Sequence, residues 1–569
     1  MLTLGINYSQ YHDSSACIVR DGQLVCAVAE ERLSRIKHDA RFPALAIRSC
    51  LNLARVRPDQ LDHIGFGWPR PHAVLRHDLA DYVRGRRPIS FVNLLNSTRH
   101  FLNQQGPQGG ARRFALSFGA TKARMHFVDH HLAHAVSAYA YSGFPEAAVV
   151  VVDGRGAWEA TSIWHGRNGA LDHVLTIPWP NSLGLLYAAF TEYLGFEPYS
   201  DEWKIMGLAP YGQPGTDLTE FISFDDGFYR VDGPRLVGHG YGLGECIAER
   251  LGPKRTPGSD IEDRHKDAAF AVQAACEQAM KGIASVATRR TGCRKLCLAG
   301  GVALNSKANG LLLNSGLVES LFVQPAASDD GAALGAALVP HLVCGERLPL
   351  QALRQVDLGV AYDDEQIEVI LRTYKLRYTR LDNVPNTTAD LLAGGKIIGW
   401  FQGRMEFGPR ALGSRSILAD PRNPEMKARV NNAVKFREWW RPFAPSLLAE
   451  AAGVYLESAT DSPFMVLTSA VKPEKRGTIP AVTHVDGSTR PQTVEQGINP
   501  LYWRVIDEFG RRTGVPVVMN TSFNLRGEPI VATPTDAVRT FFSSGMDALV
   551  IGSYLVEKGG DQVQEQLKG

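Results

Sequence analysis

The stretch Asp129-His130-His131-Leu132-Ala133-His134 and the run Val149-Val150-Val151-Val152-Asp153-Gly154-Arg155-Gly156 decide the fold class. His130 and His134 are four residues apart, so a helix through them puts both imidazoles on one face. The valine run reads as a buried strand that delivers Asp153 at its C-terminal tip. In an open α/β sheet that end of the strands is where ligands bind. Two imidazoles with carboxylates suit a divalent metal of intermediate softness, such as iron, manganese or zinc. The alternative is an ordinary helix carrying packed histidines, with Asp153 opening a turn, and spacing alone leaves both readings open.

Working outward, Leu2 to Asn7 reads as a strand and Ala16 to Val19 as a second. Asp21-Gly22 is a hairpin turn signal and Leu24 to Ala29 the return strand. The polar turn between the first two strands carries Asn7, His12, Asp13, Ser14 and Ser15, a set able to hold an anion with hydroxyls and backbone N–H groups. Lys266 to Arg289 has apolar residues three and four apart, a long amphipathic helix. Lys295 to Ala299 is a strand that runs into Gly300-Gly301, with Asn305 beyond. Missing side chains there would let a nucleotide or phosphate meet the backbone. Asp329-Asp330-Gly331 precedes a helix of small residues, and Asp329 is able to complete a metal shell with His130, His134 and Asp153.

Composition changes over about 342–385, and we place the domain boundary between residues 355 and 356. Beyond it, Arg404, Arg410 and Arg415 stand among glycines. Lys435, Arg437 and Arg441 form a second basic cluster interleaved with Trp439, Trp440 and Phe443. Arginine forks fit phosphate oxygens, so a polyphosphate cleft is the expectation and a solvated basic face the alternative. Asn520, Ser522, Asn524 and Arg526 leave a strand near the C-terminus and suit ribose, phosphate or a small carbonyl group, a capped surface loop being the alternative.

The 569 residues are enough for two or three domains. Formal charge is +2, which offers no global electrostatic case for nucleic acid or membrane as partner. No run of 18 apolar residues supports a membrane span, and the first residues lack the basic head and apolar run of a secretory signal. Eight scattered cysteines with no CxxC pair fit a reducing cytoplasm. Residues 70–125 look like an insertion near a site mouth, a solvated surface lobe being the alternative, and residues 215–260 like a small polar excursion; Tyr82, Phe91, Phe101 and Tyr229 are aromatic candidates there, beside the basic run 84–87.

In order along the chain, GINYSQYHDSSACIVRDG, EERLSRIKH, DHHLAHA, VVDGRG, KIMGLAPYG, LAGGVALNSKAN, FGPRALGSRSIL, REWWRPFAP and MNTSFNLRGEP resemble the carbamoyltransferase family that modifies antibiotics and nodulation factors. The resemblance covers essentially the whole chain. It implies an α/β protein with a duplicated actin and sugar-kinase-like module over residues 1–355 and a carbamoyl-adenylate-forming open-twisted-sheet module over 356–569. The second would convert carbamoyl phosphate and ATP to carbamoyl adenylate. The first would pass the carbamoyl group to an acceptor hydroxyl on a sugar, polyketide or other natural product and release AMP.

The same resemblance implies Fe²⁺ on His130, His134, Asp153 and Asp329, and Gly300, Gly301 and Asn305 beside the adenylate. It implies His12 as general base at the acceptor, available near neutral pH if its pKa is ordinary. Arg404, Arg410, Arg415, Lys435 and Arg437 would neutralise ATP and carbamoyl phosphate, with Asn520, Ser522, Asn524 and Arg526 as further ligands and Mg²⁺ accompanying ATP. Other readings are a threonylcarbamoyl-type tRNA-modifying enzyme, a sugar kinase releasing ADP, and a nucleotide-binding regulator without turnover. The identity of the acceptor and the oligomeric state, a homodimer included, stay open.

Overall fold

The computed structural model describes residues 1–70, 72–76, 79, 98, 109–237, 243–458 and 461–558. The aromatic candidates Tyr82, Phe91 and Phe101 and the basic run 84–87 lie outside the described residues. Two compact units emerge. The first comprises Met1–Ser34 and His38–Leu353, and the second Arg35–Lys37 and the chain from Arg354 on.

In the first unit, strands β1 (Leu2–Asn7), β2 (Ser15–Arg20), β3 (Gln23–Ala29), β4 (His63–Phe66) and β5 (Arg124–Phe127) form an open sheet in the order β3-β2-β1-β4-β5. β1, β2 and β3 pair antiparallel, while β4 joins β1 and β5 joins β4 in parallel. Asp21 and Gly22 turn the β2–β3 hairpin with φ values of 49° and 79°, the left-handed pair that Asp-Gly favours.

A second open sheet holds β6 (Glu146–Val152), β7 (Glu159–Arg167), β8 (Ala170–Pro178), β11 (Lys295–Ala299) and β12 (Ser320–Val323), in the order β12-β11-β6-β7-β8. β6, β7 and β8 pair antiparallel, and β11 and β12 add in parallel on the other side of β6. Order and strand sense therefore repeat those of the first sheet. Between β8 and β11 the polar stretch expected as an excursion contains a small hairpin of β9 (Ile222–Asp225) and β10 (Phe228–Val231).

Helix α1 (His130–Tyr141) starts at Asp129, whose carboxylate accepts from the Leu132 N–H at 3.2 Å. All but Leu132 of its residues are buried, so it is an interior helix rather than an amphipathic one. The amphipathic prediction holds for α2 (Asp263–Thr291), and α3 (Ser306–Asn314) follows β11. Helix α4 (Ala332–Val343) packs against β1, β4 and α1 because its neighbours lack side chains where it passes. A Cβ on Gly5 would lie 2.0 Å from the Ala333 carbonyl oxygen, and one on Gly65 1.9 Å from that of Ala336. On α4 itself, a Cβ on Gly335 would lie 1.8 Å from the Ala133 carbonyl oxygen of α1.

The second unit is built on an eight-stranded open sheet in the order β13-β22-β21-β14-β15-β20-β16-β19. Its strands are β13 (Thr379–Arg380), β14 (Ile398–Phe401), β15 (Arg415–Ala419), β16 (Ala444–Leu448), β19 (Gln492–Val494), β20 (Val517–Ser522), β21 (Ala548–Ile551) and β22 (Tyr554–Glu557). A two-stranded ribbon of β17 (Ser469–Ala470) and β18 (Ser488–Thr489) stands apart. Trp400, Phe401, Phe509, Phe523 and Phe541 anchor the core of this unit. The whole chain is thus α/β with open sheets. Among the described residues no helix is long and apolar enough to cross a membrane, and all eight cysteines are free.

Candidate active sites

In the first unit, α1 brings His130 and His134 to Asp153, at the exit of β6, and to Asp329, just before α4. One donor atom from each of the four lies within 4.8 Å of every other. His130 Nε2 is 3.3 Å from Asp153 Oδ2, 3.6 Å from Asp329 Oδ1 and 3.1 Å from His134 Nε2. Metal–ligand bonds of about 2.1 Å give ligand–ligand edges of about 3.0–3.4 Å, so these separations fit a shared cation. His130 Nδ1 meets the Gly67 carbonyl at 3.0 Å, the outer contact that fixes a ligating imidazole with its other nitrogen turned inward. His131 is not part of the set, since its Nδ1 meets Ser162 Oγ at 2.9 Å.

The charges are strongly coupled. Burial opposes protonation of His130, but Asp153 and Asp329 hold its pKa well above the ordinary imidazole range. Burial would raise Asp153, yet His130 and His134 keep it well below the carboxylate range. Burial and the charge on His130 push His134 down to about 4, leaving a neutral nitrogen suited to ligation.

The glycine pair expected beside the adenylate has a nearer task. Gly300 has φ of 88°, and a Cβ there would lie 2.3 Å from the Val152 carbonyl oxygen. Gly301 N–H donates to Asp153 Oδ1 at 3.0 Å and so orients the carboxylate. Asn305 caps α3 by accepting from Ala308 N–H and exchanges hydrogen bonds with Gln273.

His12 is not the free imidazole that its ordinary pKa suggests. Its Nδ1 lies 3.0 Å from Asp13 Oδ2 and its Nε2 2.7 Å from the Tyr199 carbonyl oxygen. Burial would lower its pKa, but Asp13 foremost, with Asp329 and the Tyr199 carbonyl, raises it to about 10. In this geometry both nitrogens face acceptors, so the ring carries a second proton or another cation in its place.

In the second unit the basic residues divide. Arg415 is wholly buried over the Phe401 ring, and its guanidinium donates to the carbonyls of Gln402, Ser414, Val360 and Gly403. Arg404 likewise donates to the carbonyls of Gly359 and Leu358. These two arginines fasten the loop, because a strand-to-loop exit leaves carbonyls that need donors. Glu406 closes the same loop by accepting from the N–H groups of Leu412, Ser414 and Arg415 at 2.7–3.1 Å.

Arg410 is different. Its Nε and that of Arg490 are buried without a hydrogen-bond partner among the described residues. Burial lowers Arg410 to about 10 and, together with the charge of Arg410, pushes Arg490 well below the guanidinium range. Arg437, stacked 4.2 Å from the Phe443 ring centre, is lowered by burial and by Arg441 and Arg490. Lys435 sits at the end of a π-helical turn, Asn431–Lys435, a local geometry common at functional sites. Its ammonium donates to Ser522 and Asn524, and burial with Arg437 and Arg441 lowers its pKa.

Arg410, Arg437, Arg441, Arg490 and Lys435 therefore form one desolvated, cation-rich cluster. Arg490 was not foreseen from the sequence; it stands alone in Ser488-Thr489-Arg490-Pro491-Gln492, and only the fold carries it to Arg410. Asn520 lies beneath, donating to the Ala411 carbonyl, Ser446 Oγ and Gln492 Oε1. Arg526 is exposed and makes none of these contacts.

Residues 2–338 match the family described as Carbamoyltransferase N-terminus, and residues 389–558 the one described as Carbamoyltransferase C-terminus. The chain is 41% identical over 569 residues to nodulation protein NolNO of Sinorhizobium fredii, covering 96% of this chain and 79% of that protein. An uncharacterised protein of Synechocystis is 40% identical over 610 residues, covering 99% of this chain and 98% of that one. Among solved structures, component A of the (R)-2-hydroxyglutaryl-CoA dehydratase of Acidaminococcus fermentans aligns with 61% of this chain and all of its own, at 14% identity and a TM-score of 0.33. A likeness that low adds nothing to the fold described above. The two matched segments span both units in order, and the chain belongs to the carbamoyltransferase family: it is an enzyme that transfers carbamoyl groups.

Proposed function

We propose that this enzyme carbamoylates a hydroxyl of a small-molecule acceptor, with carbamoyl phosphate as donor and ATP as activator. In the second module, residues 356–569, carbamoyl phosphate is hydrolysed to carbamate and phosphate. A carbamate oxygen then attacks the α-phosphorus of ATP and expels pyrophosphate, giving carbamoyl adenylate. In the first module, residues 1–355, the acceptor oxygen attacks the carbamoyl carbon, the carbonyl–phosphate bond breaks, and AMP leaves with the electron pair. The hydroxyl proton goes to a base, for which His12 is the candidate once it gives up its own proton.

The observation that carries this reading is the cluster of Arg410, Arg437, Arg441, Arg490 and Lys435. Five desolvated cations gathered around Glu438, which pairs with Arg441 at 3.4 Å and also acts on Arg437, favour a dense anionic ligand, and preorganised charge is what phosphoryl displacement requires. Two repeated five-stranded sheets with one order and sense support reading the first module as a duplicated actin and sugar-kinase-like fold. His130, His134, Asp153 and Asp329 would hold Fe²⁺, whose contribution when bound is Lewis acidity toward adenylate oxygens. Gly301 orients Asp153 and Gly67 orients His130, so the chain's own work there is to fix the ligands. Mg²⁺ would enter with ATP. A cytoplasmic location and small-molecule rather than nucleic-acid partners complete the proposal.

The test uses the full chain with carbamoyl phosphate, ATP, Mg²⁺ and Fe²⁺, resolving AMP, ADP, pyrophosphate and phosphate. AMP and pyrophosphate that vanish when carbamoyl phosphate is omitted are the expected result. ADP as the nucleotide product would overturn the adenylate route in favour of kinase chemistry.

A further inference from the structure

In the second unit, Asn431 opens the π-helical turn that ends at Lys435, and the residue is 1% exposed. We infer that Asn431 is an anion-binding residue of the basic cluster: its Oδ1 fixes Arg437, and its amide N–H groups donate to an oxygen of the bound oxyanion. The inference rests on the reading of that cluster as an anion site, and it adds a neutral, directional donor to the cations.

Orientation is the first support. Arg437 Nε donates to Asn431 Oδ1 at 2.6 Å. The Nε of an arginine always carries a hydrogen, so the amide atom facing it is the oxygen. Nδ2 is therefore turned away from Arg437, with two hydrogens to give.

Satisfaction is the second. Nδ2 is buried and has no hydrogen-bond partner among the described residues. A buried donor left unpaired is costly, and native proteins keep few of them. The neighbouring charged side chains cannot repair it. Lys435, Arg437 and Arg441 offer only donors. Glu438, the one acid between residues 431 and 441, pairs with Arg441 at 3.4 Å.

Backbone geometry is the third. The Asn431 carbonyl accepts from the Phe436 N–H and, at 3.4 Å, from that of Arg437. Phe436 has φ of 47°, a left-handed conformation that a bulky aromatic seldom adopts. π turns and strained residues recur at functional sites, where the surrounding structure holds them in place. Arg437 is held from other sides by the Phe443 ring at 4.2 Å and the Pro442 carbonyl at 3.4 Å, so the Asn431 amide is set against a fixed guanidinium.

Chemistry gives the ligand class. Cations attract any dense anion, whereas an amide N–H needs an oxygen lone pair at hydrogen-bond distance and in line with it. A phosphorus oxyanion beside Arg437 presents several such oxygens, and one of them satisfies the donor that the fold leaves unpaired.

Calorimetric titration of the full chain with inorganic pyrophosphate, in EDTA so that bound metal plays no part, tests this without turnover. Asn431→Asp keeps the oxygen that Arg437 uses and removes the donor, and binding is expected to weaken about tenfold or more. Asn432→Asp puts the same charge on the exposed neighbour and is expected to change binding by about twofold or less. Wild-type affinity in Asn431→Asp, or equal losses in the two variants, overturns the inference. Where circular dichroism shows Asn431→Asp misfolded, Asn431→Leu is compared in the wild-type and Arg437→Met backgrounds. A residue that only positions Arg437 has no effect once Arg437 is gone. A further loss of about tenfold in Arg437→Met is expected, and no further loss overturns the inference. So does a wild-type chain that takes up no pyrophosphate. Nucleotide products do not enter this measurement, so release of ADP would remove the reaction proposed above and leave this site standing.

Discussion

At Arg490 the cost of burying a cation meets the chemistry proposed for the second module. The Arg490 Nε is buried near Arg410 with no hydrogen-bond partner among the described residues, an arrangement that desolvation penalises until an anion arrives. Arg490→Met is expected to leave the melting temperature unchanged or higher while carbamoyl-phosphate-dependent pyrophosphate release falls about 100-fold. A lower melting temperature would place Arg490 among the structural arginines, like Arg415. Glu406 is the reverse case, a buried carboxylate engaged by three backbone N–H groups. Glu406→Ala strands those donors and is expected to cost about 3 kcal/mol in urea unfolding, whereas Glu406→Gln keeps an acceptor and should recover part of that loss.

Among the elements, α4 has the most consequential placement. It is pinned between the first sheet and α1 by glycines at which a Cβ would collide with backbone, Gly335 against Ala133 above all. Because α1 carries His130 and His134 while Asp329 precedes α4, the spacing of these two helices sets the spacing of the side chains proposed to hold the metal. Gly335→Ala is expected to force them apart, costing about 1–3 kcal/mol. It should also weaken metal retention at least tenfold, read by competition with a chromogenic chelator. Retention equal to the wild type would show that the ligand loops absorb the displacement.

Across the whole molecule, net charge is nearly balanced, and pH sensitivity comes from individual buried acids. Asp357 is raised to about 7 by burial and by Glu406. A carboxyl whose folded pKa exceeds its unfolded value binds more protons when folded, so its stabilising contribution is full below about pH 4 and lost as pH rises toward 7. Asp357→Asn is expected to remove that loss and raise the melting temperature at pH 8 relative to the wild type by about 2–4 °C, with little gain at pH 4. An equal gain at both pH values would assign the effect to packing instead of protonation.

Much was legible in the residues themselves. Helical spacing put His130 and His134 on one face, the valine run placed Asp153 at a strand tip, and ordered motifs identified the family across both units, because short-range periodicity and local turn chemistry are written directly in sequence. Convergence was not. Asp329 reaches His130 through the packing of α4 on α1, and Arg490 reaches Arg410 across the second unit. Tyr199 turns its carbonyl to His12 from far along the chain. Nor could the sequence tell which arginines the fold itself engages, since Arg404 and Arg415 differ from Arg410 in the backbone carbonyls that folding brings within reach of their guanidinium groups. Ligand type and order are local properties of the chain. Which donors are satisfied, and which charges are left uncompensated, is decided by long-range packing and the removal of water.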